Sequence, residues 1–106
     1  MMETVQNALA DVRRGLEELY AERLGGVYLY GSYARGEQEQ DSDIDVLVVL
    51  DQIQAYGAEI DRTSELISSV SLRYGISISR VFVTQEAWGE ARSGFLSHVR
   101  REAIAA

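Results

Sequence analysis

Near the start of the chain the hydrophobic positions Val5, Leu9, Val12, Leu16, Leu19 and Leu24 recur every three to five residues, with mostly polar residues between them. That spacing predicts a helix with one apolar face, which Gly25-Gly26 is expected to stop. The pattern then changes. Val27-Tyr28-Leu29-Tyr30 is a short β-branched, aromatic and aliphatic run that breaks at Gly31-Ser32, and it reads as a buried strand entering a turn. Tyr33 to Ser42 is polar and charged, consistent with a helical turn followed by a loop.

Asp43-Ile44-Asp45-Val46-Leu47-Val48-Val49-Leu50 carries the strongest strand signal, an apolar run interrupted only by its two acids. Side chains alternate across a strand, so both carboxylates share one face. A second helix is expected over Ala58 to Tyr74, with Ile60, Ile67, Val70 and Tyr74 on one side and Gly75 at its end. A third strand is expected over Ile76 to Val83, with Ser77 and Ser79 alternating with Ile76 and Ile78. Thr84 is placed to cap a short helix through Trp88, and a last helix is expected over Phe95 to Ile104. The order predicts a small α/β (α+β) fold, with helices packed on a mixed sheet of three strands, or of four. Exposed edges on so small a sheet favour self-pairing or a partner, as a homo- or hetero-oligomer.

Length and charge narrow the picture. At 106 residues the chain is read as a single domain, residues 1–106. It has 17 acidic and 10 basic residues, all the basic ones Arg, and a formal charge of −7. Such a surface repels polyphosphate backbones unless metal ions or a local patch intervene, so no direct contact with nucleic acid is expected. Cysteine is absent, which excludes disulfides, thiolate zinc sites and cysteine nucleophiles and fits a reducing cytoplasm. No apolar run approaches the roughly 20 residues that span a bilayer, and Met1-Met2-Glu3-Thr4 lacks the basic start of a signal peptide. A cytoplasmic protein with no membrane partner is expected.

The candidate chemistry lies between Gly31 and Asp45. Two acids at i and i+2, opening a strand that otherwise reads as buried, repel each other and resist desolvation unless positive charge sits between them. A divalent cation meets that need, because Mg²⁺ is commonly held by one or two carboxylates with phosphate and water completing its shell. Just before them, Gly31 allows close backbone approach to a phosphate, and Ser32 offers N–H and hydroxyl donors. Arg35, three residues beyond Ser32, is the nearest fixed positive charge for a phosphate oxygen; its competing reading is a surface pair with Glu37 or Glu39. Asp43 and Asp45 could equally cap a strand beside a polar loop, were Gly31-Ser32 not at this spacing. Tyr28, Tyr30 and Trp88 are expected to pack rather than react. Glu37 is expected to be solvated. His98 is expected on a surface helix without a catalytic role, and Arg100-Arg101 at that helix's negative end.

Gly-Ser, ten residues, then Asp-x-Asp resembles the signature of the polymerase-β-like nucleotidyltransferases. The fuller run Gly-Ser-Tyr-Ala-Arg-Gly-Glu to Ser-Asp-Ile-Asp-Val-Leu-Val is similar to their minimal form, the MNT domains often encoded beside a HEPN toxin. The resemblance covers most of the chain and is strongest around residues 30 to 50. It implies a nucleotidyltransferase-like fold and transfer of AMP from ATP to a hydroxyl. Asp43 and Asp45 would be catalytic and would hold two Mg²⁺ ions, while Gly31, Ser32 and Arg35 would bind the nucleotide's phosphates. No covalent protein intermediate is required. The larger family usually supplies a third carboxylate from a later strand. Here Ile76 to Val83 contains no acid and offers Ser77, Ser79 and Val81 on the corresponding face.

Three functions follow from these features. The first is an antitoxin that adenylylates a tyrosine or similar hydroxyl of a HEPN toxin. The second, motivated by the missing acid, is a catalytically reduced antitoxin that neutralises its partner by binding alone. The third is nucleotidyl transfer to a small molecule, for which these 106 residues supply no acceptor platform.

Overall fold

A computed structural model describes residues 2–106. The chain begins with α1 (Glu3–Tyr20) and a 3-10 turn (Ala21–Arg23), then enters β1 (Leu24–Tyr30) and the single turn of α2 (Ser32–Arg35). After a loop come β2 (Ile44–Leu50), α3 (Tyr56–Tyr74), β3 (Ile78–Thr84), α4 (Gln85–Glu90), α5 (Gly94–Glu102) and the two-residue β4 (Ile104–Ala105). The sheet order is β3-β2-β1-β4: β2 runs parallel to β3, and β1 is antiparallel to both β2 and β4. Four strands therefore form, because the expected last helix stops at Glu102 and the chain after it pairs with β1, Leu29 opposite Ile104 and Tyr28 opposite Ala105.

The expected end of the first helix is corrected. Gly25 and Gly26 do not stop it; it ends at Tyr20, and both glycines lie within β1, where the register against β2 shifts between Leu24 and Gly26. Glycine in a strand accommodates such a bulge. The buried stripe of α1 is accordingly Val5, Ala8, Leu9, Val12, Leu16 and Tyr20, whereas Leu19 is 43% exposed and Leu24 is a strand residue. The second helix starts at Tyr56, two residues early, and the third strand at Ile78, two residues late. Thr84 caps α4 as expected, its hydroxyl accepting from the Ala87 N–H.

Alternation divides the core into two layers. Val27 and Leu29 of β1, with Ile44, Val46, Val48 and Leu50 of β2 and Phe82 of β3, pack against α1 and α3. On the opposite face Leu47 and Val49 meet Leu96 and Val99 of α5, together with Tyr28, Tyr30, Val83, Ala87 and Trp88. Tyr28 packs on Trp88 with centroids 4.9 Å apart, and Tyr30 meets Phe95 edge-on at 5.8 Å, so these aromatics are packing residues. Asp45 has the parity of Leu47 and Val49 and therefore belongs to the face carrying α4 and α5. No helix among the described residues is long and apolar enough to cross a membrane.

Candidate functional site

Asp45 is the second residue of β2, paired with Tyr30 of β1 on one side and Ser79 of β3 on the other. Asp43 precedes the strand by one residue and is exposed, while Asp45 is half-buried. β1 ends at Tyr30 and the backbone swings away at Gly31, with φ 79° and ψ −157°, a region essentially reserved for glycine. The swing presses the Gly31 backbone against the Asp45 carboxylate, so that a Cβ on residue 31 would collide with Oδ2. Gly31 and Asp45 thus lie against one another, although they are fourteen positions apart in sequence.

α2 follows at once. The Arg35 N–H donates to the Gly31 carbonyl, the Glu37 N–H donates to the Ser32 carbonyl at 2.9 Å, and Gly36 closes the turn in the left-handed region. This turn returns Arg35 towards the strand ends. Its guanidinium donates through one nitrogen to both oxygens of Glu102, at 3.0 and 3.1 Å, and through Nε to Glu37 at 3.3 Å. The pairing with Glu37 matches one of the sequence expectations. The pairing with Glu102 does not follow from them.

Burial raises the Asp45 carboxyl above its ordinary range, and the neighbouring charge of Asp43 adds to the effect; Arg35 offsets this only in part, and Glu102 opposes Arg35. The Tyr30 hydroxyl is pushed up to about 12, first by burial and then by Asp45. Excess negative charge at the strand end, carried by oxygen donors alone, is the chemistry that suits Mg²⁺. Asp43 and Asp45 therefore fit that ion. Among the described residues no cluster of three or more His, Cys, Asp or Glu suited to a metal forms, and the β3 neighbour of Asp45 is the neutral Ser79.

Sequence reasoning missed Glu102. This last residue of α5 accepts a hydrogen bond from the Gly31 N–H at 2.5 Å, binds Arg35, and lies 3.1 Å from the imidazole Nε2 of His98 one turn earlier. Burial works against its ionised form, but the Gly31 N–H, Arg35 and His98 outweigh burial and hold the carboxyl below its ordinary range. One signal was available in the sequence: an acid in the last turn of a helix faces the negative end of the dipole and requires an external partner. Arg100, placed at the same end, instead donates to the carbonyls of Trp88 and Gly89 and stacks over the Trp88 ring.

The nucleotidyltransferase domain profile matches residues 9–90, most of the chain, with Gly31 to Asp45 inside the match and Glu102 beyond it. The chain belongs to this family. Among its relatives is the protein adenylyltransferase MntA of Thermococcus cleftensis, 28% identical over 103 residues, covering 97% of this chain and 93% of that protein. The nucleotidyltransferase fold is shared with a chain of a toxin-antitoxin crystallised with AMP-PNP, with a TM-score of 0.62 and 19% identity over 98% of this chain and 72% of that one. A chain in the complex of a tri-AMPylated HEPN toxin of Shewanella oneidensis with MNT antitoxin gives a TM-score of 0.51 and 16% identity, over 92% of this chain and 70% of that one. At these identities the structural likeness speaks for the fold.

Proposed function

We propose that this nucleotidyltransferase domain transfers AMP from Mg-ATP to a hydroxyl, a tyrosine in particular, of a HEPN-type toxin, and so acts as its antitoxin in the cytoplasm. The contact between the Gly31 backbone and the Asp45 carboxylate carries the reading, because it sets phosphate donors and metal-binding acids side by side. The name of the Thermococcus relative, protein adenylyltransferase, agrees with it, as does the company kept by the two structural neighbours.

Asp43 and Asp45 would hold Mg²⁺, which supplies charge neutralisation of the triphosphate and a more acidic acceptor hydroxyl. The chain's own residues do the positioning. Gly31 and Ser32 offer backbone N–H and hydroxyl donors to the departing pyrophosphate, and Arg35 places a fixed charge beside it. The acceptor oxygen has to approach on the side of Asp43, the more exposed of the two acids. Incubation with Mg-ATP and a HEPN-type toxin is expected to add the mass of one AMP for each modified hydroxyl of the partner. No mass gain, with both proteins folded, would falsify the assignment.

The neutral Ser79 beside Asp45 supports a second reading, neutralisation by binding alone. Asp43→Asn combined with Asp45→Asn separates the two. Loss of neutralisation is expected if the acids do chemistry, and retained neutralisation favours association.

A further inference from the structure

We infer that Glu102 is an internal competitor for the nucleotide: its carboxylate occupies the position of a phosphate group and sets the affinity of the site by having to leave it. The inference rests on the phosphate roles proposed for Gly31 and Arg35 and concerns what those groups do before nucleotide arrives.

Gly31 has a single backbone N–H, and that hydrogen already points at Glu102 Oε2. Arg35 spends one guanidinium nitrogen on both oxygens of the same carboxylate. Three bonds thus converge on one anion, with His98 Nε2 as a fourth neighbour. Carboxylate and phosphate are recognised by the same planar Arg fork and the same backbone donors. A phosphate oxygen can take the Gly31 N–H only when Glu102 gives it up. Glu102 is also well shielded, its side chain 12% exposed against 38% for Arg35, so it occupies the inner part of the cradle.

Displacement reaches into the fold. Glu102 ends α5, and the next residues form β4, which holds to β1 by only two paired positions and by the Ala106 N–H donating to the Val27 carbonyl. Moving the Glu102 carboxylate out of the cradle therefore loosens the attachment of residues 102–106 to β1. A site that is competent only in the fraction of molecules with Glu102 displaced binds more weakly by that fraction. If the internal pair is closed about 90% of the time, the cost is about tenfold in apparent affinity.

Calorimetric titration with Mg-AMP-PNP tests this on the full chain. Glu102→Gln, which keeps size and removes charge, is expected to bind about tenfold more tightly than the unmodified protein. Hydrogen exchange on the unmodified protein supplies a measurement independent of any variant's folding: amides of residues 103–106 should exchange faster once Mg-AMP-PNP is bound. Equal or weaker binding by Glu102→Gln overturns the inference, as does exchange that is unchanged or slower, and in both cases the nucleotide site itself stands. Binding by neither protein overturns the phosphate site and the competition with it, so the two failures are distinguishable.

Discussion

Gly31 and Gly36 flank the same turn, both with positive φ, yet they are constrained differently. Gly36 adopts an ordinary left-handed conformation, φ 71° and ψ 23°, and a Cβ there meets nothing within 4 Å. Gly31 combines a glycine-only backbone with the Asp45 carboxylate where its Cβ would lie. Gly36→Ala should therefore cost about 1 kcal/mol of stability, the left-handed penalty alone, and leave Mg-ATP binding unchanged. Gly31→Ala should cost more, about 1–3 kcal/mol of backbone strain, and should also displace Asp45 and abolish Mg-ATP binding. Urea denaturation and calorimetry on the two variants measure both quantities. Equal loss of binding in both would show that the turn as a whole matters, and not the contact between Gly31 and Asp45.

At the scale of elements, what could be read from sequence depended on how local the cause was. β2, α3 and the Thr84 cap follow from neighbouring residues and appear close to where the pattern puts them. Gly25-Gly26 misled because glycine serves both as a helix stop and as a strand bulge, and only pairing with β2 decides between them. β4 and the reach of Glu102 depend on contacts about 70 residues away in sequence, between Gly31 and Glu102, which no local pattern encodes. The turn after Gly31 and the strand opening at Asp43 to Asp45 follow from neighbouring residues, which is why the candidate site's local geometry is legible in the sequence. The element that brings Glu102 to them, α5, is short. It is fixed by Leu96 and Val99 on the thinner core layer and by Ser93, whose hydroxyl accepts from the Leu96 N–H at 3.0 Å. Ser93→Ala should cost about 1 kcal/mol in urea denaturation, the usual value of an N-cap, whereas Ser93→Asp should keep the cap and the stability.

Across the whole molecule the two faces of the sheet hold carboxylates under opposite electrostatic conditions. On the α1 and α3 side Glu59 is 4% exposed and fully partnered, accepting from the Tyr20 hydroxyl at 2.8 Å, Arg62 at 3.1 Å and Arg23 at 3.2 Å. Burial opposes its charge, but these three partners outweigh it and hold its carboxyl below the ordinary range. On the α4 and α5 side Asp45 is held above its range, chiefly by burial and then by Asp43. Linkage gives the two groups opposite signs. Glu59 stabilises the fold above the unfolded carboxylate value of about 4.3, and that contribution is lost as pH falls through its lowered folded value. Asp45 lowers stability as pH rises above about 3.9 towards its raised folded value, and the penalty persists at neutral pH. At pH 7 Glu59→Gln should lose about 1–3 kcal/mol, since the buried acceptor loses its charge, Arg62 loses its ion pair at residue 59 and Arg23 keeps only Asp51. Asp45→Asn should instead gain stability in the metal-free protein. Urea midpoints measured from pH 7 down to pH 3 should bring each variant back towards the unmodified protein, from below for Glu59→Gln and from above for Asp45→Asn. An Asp45→Asn protein less stable than the parent at pH 7 would mean that the aspartate is held by structural partners, and that the strand end is not a site where stability is given up for cation binding.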